Sequence, residues 1–315
     1  VIAGSGATLT KAGAGTLTLG GVSNNTYSGG TTLSGGTLKA GSSNQAFGTG
    51  AVVEASAGGV VIDLNGKTIS NALTLYSAAS PTVYALTDSA GSGVQQTGVV
   101  TLGSNVLMGL ATGKTMTVSG EIADTYGYTL TINKTGDTGT VILSGANSYT
   151  GATTVNAGTL ALSGNGTLGN TSSLLTISSA TLDLRRSLTV GSLSLSGTSP
   201  SITNSTGSSS LLVNGTSTLS GSITTSGAQT YTGAVTLGAD TTLTTTDSLV
   251  SFGSTVGNSA AKALTISSGT GGVTFTGTVG SVTALGALTL ATSGTTTVSN
   301  TLRAASLSSG TGTTA

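Results

Sequence analysis

Whatever acid–base chemistry this chain can do rests on nine carboxylates, because its 315 residues include no His and no Cys. The commonest general base and the thiol nucleophile are both missing, and a serine triad would have no imidazole. No G-x-S-x-G elbow occurs. Paired carboxyls a few Å apart would suit polysaccharide cleavage. The candidates are Asp63, Asp183, Asp240 and Asp247, with the dibasic pair Arg185-Arg186 beside Asp183. These acids are scattered one per block, and aromatic residues that would stack on sugars make up only 3% of the chain. Aspartates in Gly- and Asn-rich surroundings serve more simply as turn caps that accept backbone N–H groups. No catalytic residue and no cofactor is assigned.

Ligand and metal binding leave fewer candidates. The Ca²⁺-binding nonapeptide G-G-x-G-x-D and the EF-hand loop are absent, and "TGDTG" (135–139) offers a single Asp, so no metal ligand is assigned. Arg185 and Arg186 are candidates for contact with an anionic glycan, against the plainer reading of a solvated turn. Tyr126 and Tyr128, in "DTYGYTL", share a face if their segment is a strand. They would then stack on a sugar or pack over a loop. Frequent G-x-G spacings carry no phosphate-loop signal in a chain with 51 Gly.

The elements that position these residues follow from composition. Only 6% of the residues are charged, against roughly 25% in soluble domains, so the surface is built from Ser, Thr, Asn and Gly. Apolar residues make up 36% and are spread along the chain, which argues against disorder. A net charge of zero disfavours nucleic acid and anionic membranes as partners, and it removes a barrier to self-association. No stretch approaches 18 apolar residues, the length a membrane-spanning helix needs. Neither "VIAGSGATLTKAGAG" at the start nor "SSGTGTTA" at the end resembles a leader or a cap, so 1–315 is expected to be a single segment of a longer chain.

Apolar stretches are short and alternate with polar residues, as in Thr16 to Leu19, Val60 to Leu64, Leu193 to Leu195 and Leu288 to Leu290. Period-two alternation over three to five residues predicts half-buried strands, and good helix formers are nearly absent. The fold class is all-β. Internal similarity then favours a solenoid over a sandwich. Leu17, Leu19, Tyr27, Gly29, Leu33 and Leu38 match Val141, Leu143, Tyr149, Gly151, Val155 and Leu160. A looser copy, "QTYTGAVTLGADTTL", contributes Tyr231, Gly233 and Leu237. Repeat-like blocks fall at about 9–41, 130–164 and 227–243. The expected architecture is a right-handed parallel β-helix whose rungs of roughly 20–25 residues stack about 4.8 Å apart, on the order of 13–15 rungs in 60–75 Å. Leu, Val and Ile point inward, while Thr, Ser and Asn point to water.

"TKAGAGTLTLGGVSNNTYSGGTTLSGGTLKAG" (10–41) and "NKTGDTGTVILSGANSYTGATTVNAGTLALSG" (133–164) resemble the autotransporter-associated β-strand repeat, also called the passenger-associated transport repeat, of type V secretion proteins. The C-terminal third is similar to blocks of filamentous haemagglutinin-like surface proteins. At Arg185-Arg186 the chain departs from the pattern "LDLNG" that Asp63 to Gly66 keeps. The resemblance implies a β-helical stalk of a secreted or cell-surface adhesin or matrix fibre, displayed by a Gram-negative-type cell and not an enzyme. Partners would be further copies met at open solenoid ends, or a glycan or host surface. A polysaccharide-active enzyme is the remaining alternative.

Overall fold

Short alternating stretches give short strands. The computed structural model describes residues 1–21, 23–55, 59–76 and 83–311, so the last four residues of "SSGTGTTA" lie outside it. Every regular element among the described residues is a strand, and most are three to five residues long. With no helix among them, none is long and apolar enough to cross a membrane. The strands pair in parallel with partners about one rung away, and the fold is the parallel β-solenoid that the internal repeats predict. It comprises two compact units, Val1–Asn170 and Thr171–Ala315.

In the first unit, one face stacks Leu9–Lys11, Thr31–Leu33, Val52–Glu54, Leu73–Leu75, Val100–Leu102 and Ile122–Asp124 in register. Leu33, Val52, Leu73, Leu75, Val100, Leu102 and Ile122 form its inward ladders and are almost wholly buried. Each such side chain contributes about 1.5–3 kcal/mol by leaving water. A second face carries Thr37–Ala40 on Thr16–Leu19 and Thr159–Leu162 on Thr140–Leu143.

The second unit has its own six-strand face: Leu188–Val190, Leu211–Val213, Gln229–Tyr231, Val250–Phe252, Val273–Phe275 and Thr296–Val298. Some strands are longer than the alternation predicts, such as Ser217–Thr225 and Val235–Thr245. These two pair along their whole length, with a register shift between Leu219 and Gly221, so two short alternating stretches read as one bulged strand.

Inward positions are not all apolar. Thr31 and Thr153 are 2% exposed and take the inward place at which alternation alone would put Val or Leu. Thr225, Thr241, Thr245, Thr292 and Thr296 are buried as well. The expectation that threonines face water fails at Thr31, Thr153, Thr225, Thr241, Thr245 and Thr292 because a neighbouring hydroxyl or carbonyl bonds each buried hydroxyl and offsets its desolvation.

Candidate functional site

Strand pairing brings each strong repeat onto itself. In the first copy, Leu9–Lys11 lies under Thr31–Leu33 and Thr16–Leu19 lies under Thr37–Ala40. In the second, Leu130–Ile132 lies under Thr153–Val155 and Thr140–Leu143 under Thr159–Leu162. One repeat is therefore two stacked partial rungs. Leu19, Leu33, Leu38, Val141, Leu143, Val155 and Leu160 are buried in it. Leu17 is half-buried, in a strand that pairs with Thr37–Ala40.

The polar residues of "NTYSGGTT" and "NSYTGATT" are taken up inside the stack. Asn25 Oδ1 accepts from Ile2 N at 2.8 Å, and its Nδ2 donates to Ala46 O at 2.7 Å. Asn147 repeats the arrangement, accepting from Ile122 N at 2.8 Å and donating to Thr167 O at 2.7 Å. Each Asn thus joins the rung before it to the rung after it. Tyr27 and Tyr149 are fully buried, with their hydroxyls 2.6 Å from those of Thr31 and Thr153. Burial raises both phenol pKa values, and the Thr hydroxyl only partly offsets that. A Cβ on Gly29 would stand 2.4 Å from Gly6 O, and one on Gly151 would stand 2.1 Å from Tyr128 O. No side chain fits where one rung presses on the next. Gly36 and Gly158, at φ +67° and +60°, make the corner instead.

Lys11 and Lys134 align in sequence but not in space. Lys11 is buried, and its Nζ donates to Ala12 O, Gly13 O and Gly35 O at 2.6–2.9 Å. In the second copy Asn133 does this work, with Nδ2 donating to Gly139 O and Ala157 O. Lys134 lies over the ring of Tyr84, 4.9 Å from its centroid. Sequence reading missed Asn25, Asn147 and Asn133. The N-x-Y spacing shared by the two copies was the available signal for the first two.

The third block is built differently. Tyr231 lies inside a strand, and its hydroxyl donates to Gln229 Oε1 at 3.1 Å. Its ring stacks on Phe252 at 5.3 Å, and Phe252 stacks on Phe275 at 5.0 Å. Gly233 keeps the close approach, since a Cβ there would stand 2.4 Å from Gly215 O, and Leu237 is buried.

The four candidate aspartates each bind backbone N–H groups. Asp63 accepts from Asn65 N and Ser89 N and pairs with Lys39 at 3.3 Å. Asp183 accepts from Ser205 N and Oγ and from Arg185 Nε at 2.7 Å. Burial pushes the Asp183 carboxyl up, but Ser205 and Arg185 outweigh it and hold it below the usual aspartate range. Asp240 accepts from Ala263 N and Asp247 from Thr270 N. Among the described residues no three His, Cys, Asp or Glu side chains gather as a metal would require.

The candidate ligand residues fall into two places. Arg185 and Arg186 belong to the second unit, with Arg185 tied to Asp183. Where Asn65 and Gly66 turn at φ +45° and +75°, the Arg pair keeps negative φ. Tyr126 and Tyr128 belong to the first unit and lie in a turn around Gly127 (φ +76°), not in a strand. Their rings still meet edge to face at 5.9 Å, and Tyr126 is 78% exposed.

The family model described as Passenger-associated-transport-repeat matches residues 9–40 and 132–162. The adhesin BmaC autotransporter of Brucella suis biovar 1 (strain 1330) is 37% identical over 165 residues, covering 50% of this chain and 4% of that protein. The chain thus spans a small part of the length of the curated relative it matches. No solved structure gives a significant match. The two self-stacked blocks are thus the ones that match the passenger-associated transport repeat, and they lie within a parallel β-solenoid.

Proposed function

We propose that this chain is a non-enzymatic stalk segment of a bacterial surface adhesin exported by type V secretion. The observation that carries the reading is the fate of the repeat's polar residues. Asn25, Tyr27, Asn147 and Tyr149 are buried and bonded within the stack, which leaves them no role toward a ligand. The similarity to an autotransporter adhesin supports the same setting. The aspartates, scattered along the chain and each engaged by backbone N–H groups, support a role without catalysis. In the exporting parent protein, the segment would be exchanged for as many rungs of an unrelated β-solenoid. Surface display and adhesion should both survive. Adhesion lost while display persists would instead make this segment the binding module.

Association between copies belongs to the same reading. A net charge of zero opposes such association little. Sedimentation velocity should show concentration-dependent growth; a monomer over the whole accessible range would remove this part of the proposal.

A further inference from the structure

The polar groups of the first unit's repeats are used internally, but one corner of the second unit leaves polar groups uncommitted. A surface groove of about 340 Å³ crosses successive rungs there, lined among others by Ser199, Pro200, Ser220, Gly221, Asp240 and Lys262. That size lies at the lower end of the roughly 300–1,000 Å³ of small-ligand sites.

The groove arises from local backbone irregularity. Strand pairing shifts register between Leu219 and Gly221, so the wall steps at this corner. Gly221 turns at φ +69°, and a Cβ there would stand 2.2 Å from Pro200 O, so the floor is bare backbone. Ser199 holds φ +50°, a conformation that costs a non-glycine residue free energy and that clusters at functional sites. Bulges likewise recur where a side chain is re-aimed toward a ligand.

Asp240 Oδ1 accepts from Ala263 N at 2.9 Å, while Oδ2 has no protein partner among the described residues. Lys262 lines the same groove, and among the described residues no hydrogen bond or ion pair holds its ammonium. The two charges do not pair with each other, and together they leave the groove neutral. A charged ligand would satisfy one and oppose the other. A neutral polyol suits both, since each of its hydroxyls can donate to a carboxylate and accept from an ammonium. Ser199 and Ser220 add hydroxyls that can do either.

We infer that this corner is a binding site for a neutral saccharide, with Asp240 accepting and Lys262 donating to neighbouring sugar hydroxyls. The inference stands apart from the stalk reading: a stalk without this site remains a stalk, and a site without the stalk role remains a site.

The test is an array of neutral and anionic oligosaccharides probed with the purified chain, followed by calorimetric titration of the best neutral binder. Asp240→Asn keeps an acceptor for Ala263 N, and Lys262→Met keeps the aliphatic stem, so both variants should hold their circular dichroism and melting temperature. Each should weaken the neutral glycan about tenfold or more, the scale of a lost hydrogen bond to a charged group. The variant Arg185→Ala/Arg186→Ala should bind as the parent does. No neutral glycan bound by the parent would overturn the assignment. So would unchanged affinity in the Asp240→Asn/Lys262→Met double variant, or binding confined to anionic glycans and lost with the arginines.

Discussion

The hydroxyl of Tyr149 lies 2.6 Å from that of Thr153, with both side chains sealed in the stack, and Tyr27 and Thr31 repeat the pair at the same distance. The bond is local, four residues apart, yet it decides that a threonine can occupy an inward place. Tyr149→Phe leaves the Thr153 hydroxyl buried without that partner and should cost about 1–3 kcal/mol. The double variant Tyr149→Phe/Thr153→Val replaces both groups by apolar ones and should recover much of the loss. Urea denaturation of the four-membered cycle measures the coupling; additive effects would mean the hydroxyls do not depend on each other.

Glycines in the repeat differ in what they are for, and alanine substitution should separate them. Gly151→Ala drives a methyl into Tyr128 O, fixed backbone of the rung below, and should destabilise by about 1–3 kcal/mol or more. Gly15 has negative φ and nothing within 4 Å of the new Cβ. Gly15→Ala should be neutral or stabilise by about 0.4–1 kcal/mol through lower unfolded-chain entropy. Melting curves of the two variants side by side check the contrast.

In the second unit, Phe252 is stacked between Tyr231 and Phe275, with interplanar angles of 13° and 3°. Truncating it removes contacts to both neighbours at once. Phe252→Ala should cost about 3–5 kcal/mol, and Phe252→Leu distinctly less. Phe252→Tyr should be worse than its size suggests unless the new hydroxyl finds a partner. Chemical denaturation of the three variants ranks them.

Two carboxyls should tilt the stability curve in opposite directions. Glu54 is wholly buried, and desolvation raises its pKa well above 4.5 although Tyr76 N donates to it at 2.7 Å. A raised carboxyl favours the fold while neutral, so its contribution is full below 4.5 and is lost as pH rises toward the folded value. Glu54→Gln should therefore raise the melting temperature at pH 7 by on the order of a few °C and change little near pH 4. Asp183 has a lowered pKa, so its contribution is full above 3.8 and is lost as pH falls through the folded value. Asp183→Asn should destabilise at pH 7 and progressively less as pH falls below 3.8. Thermal melts across pH read both slopes.

Composition and alternation were sufficient for the all-β class, because period two and the lack of helix formers act within a few residues, and the internal repeats then pointed to a parallel solenoid. The paired repeats were legible too, as the matches of Tyr27 with Tyr149 and Gly29 with Gly151 carried real structural equivalence. The candidate aspartates do accept backbone N–H groups, but only Asn65 N to Asp63 is a local cap; the donors from Ser89, Ser205, Ala263 and Thr270 lie 22–26 residues on, in the next rung, which local sequence does not show. What the tertiary structure alone decided lies between rungs. Lys11 and Asn133 do one job from different sequence positions because each answers to a carbonyl some two dozen residues away. Tyr231 looks like Tyr149 in sequence but stacks on an aromatic ladder, since Phe252 rather than a threonine stands next to it. Asp240 and Lys262 share a groove because the rung of Val235–Thr245 stacks on that of Leu264–Gly269, which sets Asp240 against Ala263. Within a strand the chain sets its own geometry; across the roughly 4.8 Å from rung to rung, each side chain takes its role from the neighbour it meets.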